Sequence, residues 1–119
     1  MTQINNLIDV INAGIRAETL RNKAIANNIA NMQTPEYRRV DVRFQELLDK
    51  ALDGKGQIDL GDIEASLFQP QTTAVNSMGN DVNLEHEIGE MVKNTLKHKA
   101  YTRFLQKQYQ QMEQAMSIR

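Results

Sequence analysis

"NNIANMQTPEY" (Asn27–Tyr37) sets where the first long element of this chain stops and turns. Asparagine is a poor helix former because its amide competes for nearby backbone groups. Yet Asn27, Asn28 and Asn31 fall in the last turns of a stretch that is otherwise helical. Ile25, Ile29 and Met32 continue an apolar stripe there, and Ala26 and Ala30 present a small face that another helix can approach closely. The amides both donate and accept hydrogen bonds, and Asn31 stands at i+4 and i+3 from Asn27 and Asn28. Pro35 disfavours helical geometry at Thr34, so the helix is predicted to stop near Asn31–Gln33. Tyr37 gives the turn an aromatic anchor with a polar tip.

Upstream, Ile4, Ile8, Ile11 and Ile15 recur at helical spacing, and the rhythm resumes at Ile25 and Ile29. In between, the stripe lands on Glu18 and Asn22. A helix from Gln3 to Asn31 would be roughly 43 Å long. Downstream, Leu84, Ile88, Met91, Thr95, His98, Thr102, Leu105, Tyr109, Met112 and Met116 follow alternating steps of four and three. This is a heptad seam with a polar centre. Asn83 is a candidate N-cap, with Glu85 and Glu87 in the first turn. Asn83–Met116 would span roughly 51 Å. A compact chain of this length has a radius of gyration of about 13–14 Å, so helices this long require an elongated molecule.

The expected fold is therefore mainly α. Residues 1–33 form one long helix, 34–82 a turn, a short helix and an irregular, partly β region, and 83–119 a second long helix. The long helices pair antiparallel or side by side in a coiled-coil-like stack. The short helix is read from "DVRFQELLDKALDG", with Asp41 as N-cap, Phe44, Leu47, Leu48, Ala51 and Leu52 on one face and Gly54 as stop. "QIDLGDI" and "TTAVNS" alternate as brief strands do.

Charge is unevenly spread over a net of -1. Residues 53–90 are acidic and 91–119 basic, so the two regions attract each other within or between chains. Arg38, Arg39 and Arg43 are interleaved with Glu36, Asp41 and Glu46, which argues against a nucleic-acid patch. With no Cys there is neither a disulfide framework nor a thiolate metal site. His86 and His98 lie about 120° apart around their helix and do not converge on one metal. His98 reads as a hydrogen-bonded packing residue. No nucleophile–base set, phosphate loop or calcium loop stands out, so no catalysis and no cofactor are expected. No apolar run of about 18 residues spans a membrane, and the N-terminus lacks a secretory leader. Composition alone would place such a chain in the cytoplasm.

"ANNIANMQTPEY" (Ala26–Tyr37) resembles the signature of the bacterial flagellar axial proteins, which form the rod and hook. There, a helix ends in Asn-x-x-Ala-Asn before a Thr-x-Gly-Tyr-like turn. Asn27, Ala30, Asn31, Thr34, Pro35 and Tyr37 match it. "YRRVDVRFQELL" (Tyr37–Leu48) and "GNDVNLEHEIGEMVKNTLKHKAYTRFLQKQYQQMEQAM" (Gly79–Met116) are similar to the proximal-rod branch. Glu36 departs from the pattern, standing where that family usually has Gly. Because Glu resists positive φ, a type I turn is expected there.

The resemblance implies a rod subunit that polymerises through its terminal helices into a drive shaft crossing the periplasm. It implies export by the flagellar type III apparatus without a cleaved signal peptide. The implied partners are copies of the chain, other rod proteins, the adaptor between rod and MS ring, and the MS ring or export gate at the rod base. The implied interface residues are Ile25, Asn27, Asn28, Ile29, Ala30, Asn31, Thr34, Pro35 and Tyr37 at the junction. On the second helix they are Leu84, Ile88, Met91, Leu105, Tyr109, Met112 and Met116. A helical adaptor or secretion chaperone acting as a small oligomer is the alternative from another class.

Overall fold

A computed structural model describes residues 2–46, 49 and 66–118. Helix α1 runs Thr2–Ala30, strand β1 Asp41–Arg43, strand β2 Ser66–Phe68 and helix α2 Leu84–Ser117. The molecule is a thin rod of 67 × 28 × 14 Å with a radius of gyration of 18.0 Å. That is well beyond the compact value of about 13–14 Å.

The two helices pack antiparallel. Going down α1 from Asn22 through Glu18 to Gly14, the partners on α2 climb from Asn94 to Tyr101. A Cβ built on Gly14 would sit 2.8 Å from Tyr101 Cζ, so the bare backbone is what lets the ring seat there. The other side of α1 carries the apolar core. Ala13, Ala17 and Ala24 are buried against Val42 and Phe44, with Val10 and Leu20 packed around them. The small side chains of these alanines keep that side of α1 narrow where Val42 and Phe44 pack. Burying the Phe44 ring contributes about 2–3 kcal/mol. Ile11 and Ile25 are buried as well. Of the small residues, Ala26 and Ala30 face solvent.

α2 begins as its sequence predicts. Asn83 has extended geometry and its side chain accepts from His86 N at 3.2 Å. Glu85 and Glu87 fill the first turn.

β1 and β2 pair antiparallel, with Asp41 opposite Phe68, Val42 opposite Leu67 and Arg43 opposite Ser66. Arg43 lies over the Phe68 ring, 4.5 Å from its centroid. Two expectations are corrected here. Asp41 is not a helix N-cap: it opens β1, where its carboxylate accepts from Val42 N at 2.7 Å. Pairing with β2, a long-range partner, overrides the local signal. "TTAVNS" is not a strand, because Asn76 turns the chain there: its Oδ1 accepts from Met78 N and Asn80 N. Helical geometry is present at Gln45, Glu46 and Asp49, and Gln45 Nε2 donates to Asp49 Oδ1 at 3.3 Å. Leu47, Leu48, Ala51, Leu52, Gly54 and "QIDLGDI" lie outside the described residues.

Candidate functional site

The helix-to-loop junction is built on asparagine side chains. The last turn of α1 tightens as it ends. Asn31 N–H is shared between the carbonyls of Asn27 (3.1 Å) and Asn28 (3.2 Å), and Met32 N reaches back three residues to Ile29 O. Asn31 Nδ2 donates to Asn27 O at 2.8 Å and its Oδ1 accepts from Thr34 Oγ1 at 3.1 Å. Carbonyls left free at the helix end are thereby satisfied.

Asn28 points the other way and is fully buried. Its Nδ2 donates to Val40 O and its Oδ1 accepts from Val40 N, both at 2.8 Å. The same oxygen accepts from Tyr37 Oη at 3.0 Å. Burial pushes the Tyr37 phenol above its ordinary value, with the charges of Glu87 and Asp81 adding to the effect, so the hydroxyl stays protonated and able to donate.

The turn Thr34–Tyr37 closes through Tyr37 N to Thr34 O at 3.3 Å. Glu36 has φ of 61°, the left-handed region demanded of the third residue of a type II turn. The expected type I turn is thus overturned. Two long-range contacts hold the strained backbone. Glu36 N donates to Met78 O at 2.8 Å. Asn80 Nδ2 donates to Asn31 O at 2.8 Å and Thr34 O at 2.9 Å. Asn80 Oδ1 meanwhile accepts from Val82 N at 2.8 Å. One buried amide therefore clamps the end of α1 to the approach to α2. Asn80 was absent from the expected interface set. Its signal in the sequence was the Gly79-Asn80 pair, in which Gly79 has φ of 76°.

Beside this corner lies a buried ion cluster. Arg39 Nε donates to Glu87 Oε1 at 2.9 Å, and Asp81 Oδ1 accepts from Arg39 N at 2.6 Å. Arg38 and Asp41 join through Asp81 (3.5 Å) and Arg39 (3.6 Å). Burial works against the Arg39 charge. The hydrogen bond and charge of Glu87, then Asp41 and Asp81, outweigh it and hold the guanidinium above its ordinary range. Removing one partner of such a buried pair costs roughly 3–5 kcal/mol.

Over the first half of α2 the inward residues are not those of the seam read from the sequence: Glu87 and Asn94 are buried there. Farther along, His98 and Leu105 of that seam are half-buried, with Tyr101 beside them. Asn94 Nδ2 donates to Glu18 O at 2.8 Å and to Asn22 Oδ1. Glu18 is itself buried and its Oε1 pairs with Arg21 at 2.9 Å. Polar partners on α1, Arg39 included beside it, draw these positions inward.

The apolar residues are displaced around the helix. Leu84, Ile88, Met91, Val92 and Leu96 are left 38–62% exposed, and Tyr109 and Met116 are exposed too. Leu105 and Met112 are half-buried. At the other end of the expected set, Ile25 is buried, Ile29 and Tyr37 are half-buried, and Asn27, Ala30, Thr34 and Pro35 are exposed.

Among the described residues no helix is long and apolar enough to cross a membrane. No cluster of three or more His, Cys, Asp or Glu residues among them is placed to hold a metal ion. A thin helix pair with a clamped corner and an uncovered apolar stripe defines the class: an elongated, mainly α protein built on two long terminal helices.

Known proteins narrow this. The chain is 32% identical over 98 residues to the flagellar basal body rod protein FlgB of Bacillus subtilis (strain 168), covering 75% of each. It is 30% identical over 88 residues to the protein of that name from Aquifex aeolicus, covering 71% of each. To that of Borreliella burgdorferi it is 22% identical over 120 residues, covering 86% of this chain and 89% of the relative. No family model matches. The chain belongs to the family of the flagellar basal body rod protein FlgB.

Proposed function

We propose that this chain is a polymerising subunit of the proximal rod, a non-catalytic part of the periplasm-crossing shaft that transmits torque. The observation that carries the reading is the exposed stripe Leu84, Ile88, Met91, Val92 and Leu96 on a molecule too thin to cover it. In an assembly, neighbouring subunits and other rod proteins bury that stripe, and Tyr109, Met112 and Met116 extend the contact along α2. The amide-clamped corner fixes the angle at which the loop region leaves the helix pair, so that torque is borne by hydrogen-bonded backbone. At the rod base the chain meets the adaptor to the MS ring, or the MS ring or export gate itself. It reaches the periplasm through the flagellar export apparatus, without a cleaved signal peptide.

The test is mass spectrometry of detergent-extracted hook–basal-body complexes from the native bacterium. The chain is expected to be enriched with the other rod proteins. Its absence from complexes that contain them overturns the reading. Replacing Ile88 with Asp is expected to abolish incorporation and motility, while Asn31→Ala lowers rod yield more than it lowers monomer solubility.

A further inference from the structure

Helix α2 has two faces fit to meet α1, and the one turned inward over its first half is the less apolar. Glu87, Asn94 and Tyr101 recur at steps of seven and point inward, Glu87 and Asn94 fully buried. Successive residues of a helix turn by about 100°. Measured from Glu87, Met91, Leu84 and Ile88 stand roughly 40°, 60° and 100° around on one side. These three are left 38–48% exposed. A roll of α2 by roughly 70° about its own axis would bury them and turn Glu87 and Asn94 aside. It would also bring Thr95 toward Glu18 and Asn22 in place of Asn94, so the polar middle of the pair would still meet polar groups. The rolled facing is thus a close competitor, and hydropathy favours it.

The observed facing leaves polar atoms over. Asn94 Oδ1 and Glu87 Oε2 make no hydrogen bond among the described residues, and a buried acceptor without a partner disfavours the state that buries it. What favours this facing is direction. Asn94 Nδ2 donates both to Glu18 O, at 2.8 Å, and to Asn22 Oδ1. Neither bond survives the roll. A buried amide that gives up stability to hold a single arrangement is the device by which one asparagine fixes the register of a coiled coil.

We propose that Asn94 is the specificity-determining residue of the helix pair. It selects which face α2 turns to α1, and so keeps Leu84, Ile88 and Met91 outward for neighbouring subunits. Glu87 anchors the same facing at the N-terminal end of α2, through Arg39 at 2.9 Å. The proposal rests on the rod reading for what the outward face meets, and adds to it which residue presents that face.

Asn94→Leu in the full chain tests it. Leucine is close to asparagine in size, removes the unpartnered Oδ1 and has the higher helix propensity. It strands nothing, because Glu18 O lies within α1 and Asn22 is exposed. Asn94→Leu is expected to keep or raise helicity by circular dichroism, yet to enter hook–basal bodies about tenfold less than the unaltered chain. Asn94→Ser keeps a hydroxyl donor but is the poorer helix former. It is expected to be less helical than Asn94→Leu and better incorporated. A residue that only held the helices together would give the opposite order. Full incorporation of Asn94→Leu, or loss of its helicity along with its incorporation, overturns the proposal. So does Asn94→Ser entering no better than Asn94→Leu. If the unaltered chain itself is missing from hook–basal bodies, the rod reading falls and takes this proposal with it.

Discussion

Asn28 and Val40 pair amide to peptide, with two hydrogen bonds of 2.8 Å running in opposite directions between one side chain and one backbone unit. The side chain thus completes, from the end of α1, the pairing that a neighbouring strand would give to the segment entering β1. Replacing Asn28 with Ala leaves the Val40 N–H and C=O and the Tyr37 hydroxyl without their partner. Each unsatisfied buried group costs about 1–3 kcal/mol. The expected loss is about 2–4 kcal/mol in urea denaturation, and the same is expected of Asn80→Ala at its two carbonyls. A loss under about 0.5 kcal/mol at both positions would mean that water replaces the amides and that the corner is not clamped by them.

Gly14 and Tyr101 make an opposite kind of dependence, in which the absence of an atom is the structural feature. Alanine at 14 raises helix propensity by about 1 kcal/mol but drives its Cβ to 2.8 Å from the ring. Gly14→Ala is therefore expected to be net destabilising, by about 1–2 kcal/mol, as an overpacked contact. Shortening the ring to Val in Gly14→Ala/Tyr101→Val is expected to recover part of that loss. Thermal melts of the single and double variants check it: additive losses would show that the two residues do not meet.

The helices, the Asn83 cap and the stop after Ala30 were legible because each rests on local physics: periodicity, capping and the proline. The facing of α2 was not. Its heptad reading placed Leu84, Ile88 and Met91 inward on hydropathy alone, whereas Glu87 and Asn94 are the residues that turn in. They do so because Arg39, Asn22 and the Glu18 carbonyl wait for them, and those partners stand more than 45 positions away in sequence. Asn80 escaped for the same reason, since its two acceptors lie 46 and 49 positions upstream. Arg38, Arg39 and Arg43 were legible as a mixed-charge cluster, but not that Glu87, 48 positions away, would supply the principal counter-charge of Arg39 or that Asp81 would pair with Arg38.

Glu18 sits in the helix seam with Oε2 making no hydrogen bond among the described residues. Burial raises its pKa above the ordinary 4.5, and Arg21, Lys97 and His98 only partly oppose this. Tyr101, also raised by burial and by Glu18, stays a neutral neighbour. The sign follows from which state binds the proton first. At pH above the raised folded value both folded and unfolded chains hold Glu18 ionised, and folding bears the full burial penalty. As pH falls through the raised folded value toward 4.5, the folded chain protonates first and the penalty is relieved, so this group adds stability on acidification and nothing further below 4.5. Glu18→Gln is expected to be more stable than wild type at pH above the raised folded value, with the gap closing as pH falls toward 4.5. Paired urea titrations across that range measure it, and the difference cancels other carboxylates. A gap that widens on acidification would mean that the Arg21 pair outweighs burial.

Glu36 holds a φ of 61° at the third position of the turn, a conformation that costs a side chain roughly 1–2 kcal/mol. It is held there by its own N–H on Met78 O and by Asn80 on the Asn31 and Thr34 carbonyls that precede it. Glycine at 36 removes the clash of Cβ with the backbone but adds freedom to the unfolded chain. The net expectation for Glu36→Gly is a gain of about 0.5–1 kcal/mol, with Glu36→Asn close behind and Glu36→Val clearly destabilising. Because the Glu36 side chain is exposed, a change in melting temperature in that order reads the backbone alone. If Gly, Asn and Val melted together, the turn would have relaxed out of the left-handed region and the Met78 bond would not be holding it.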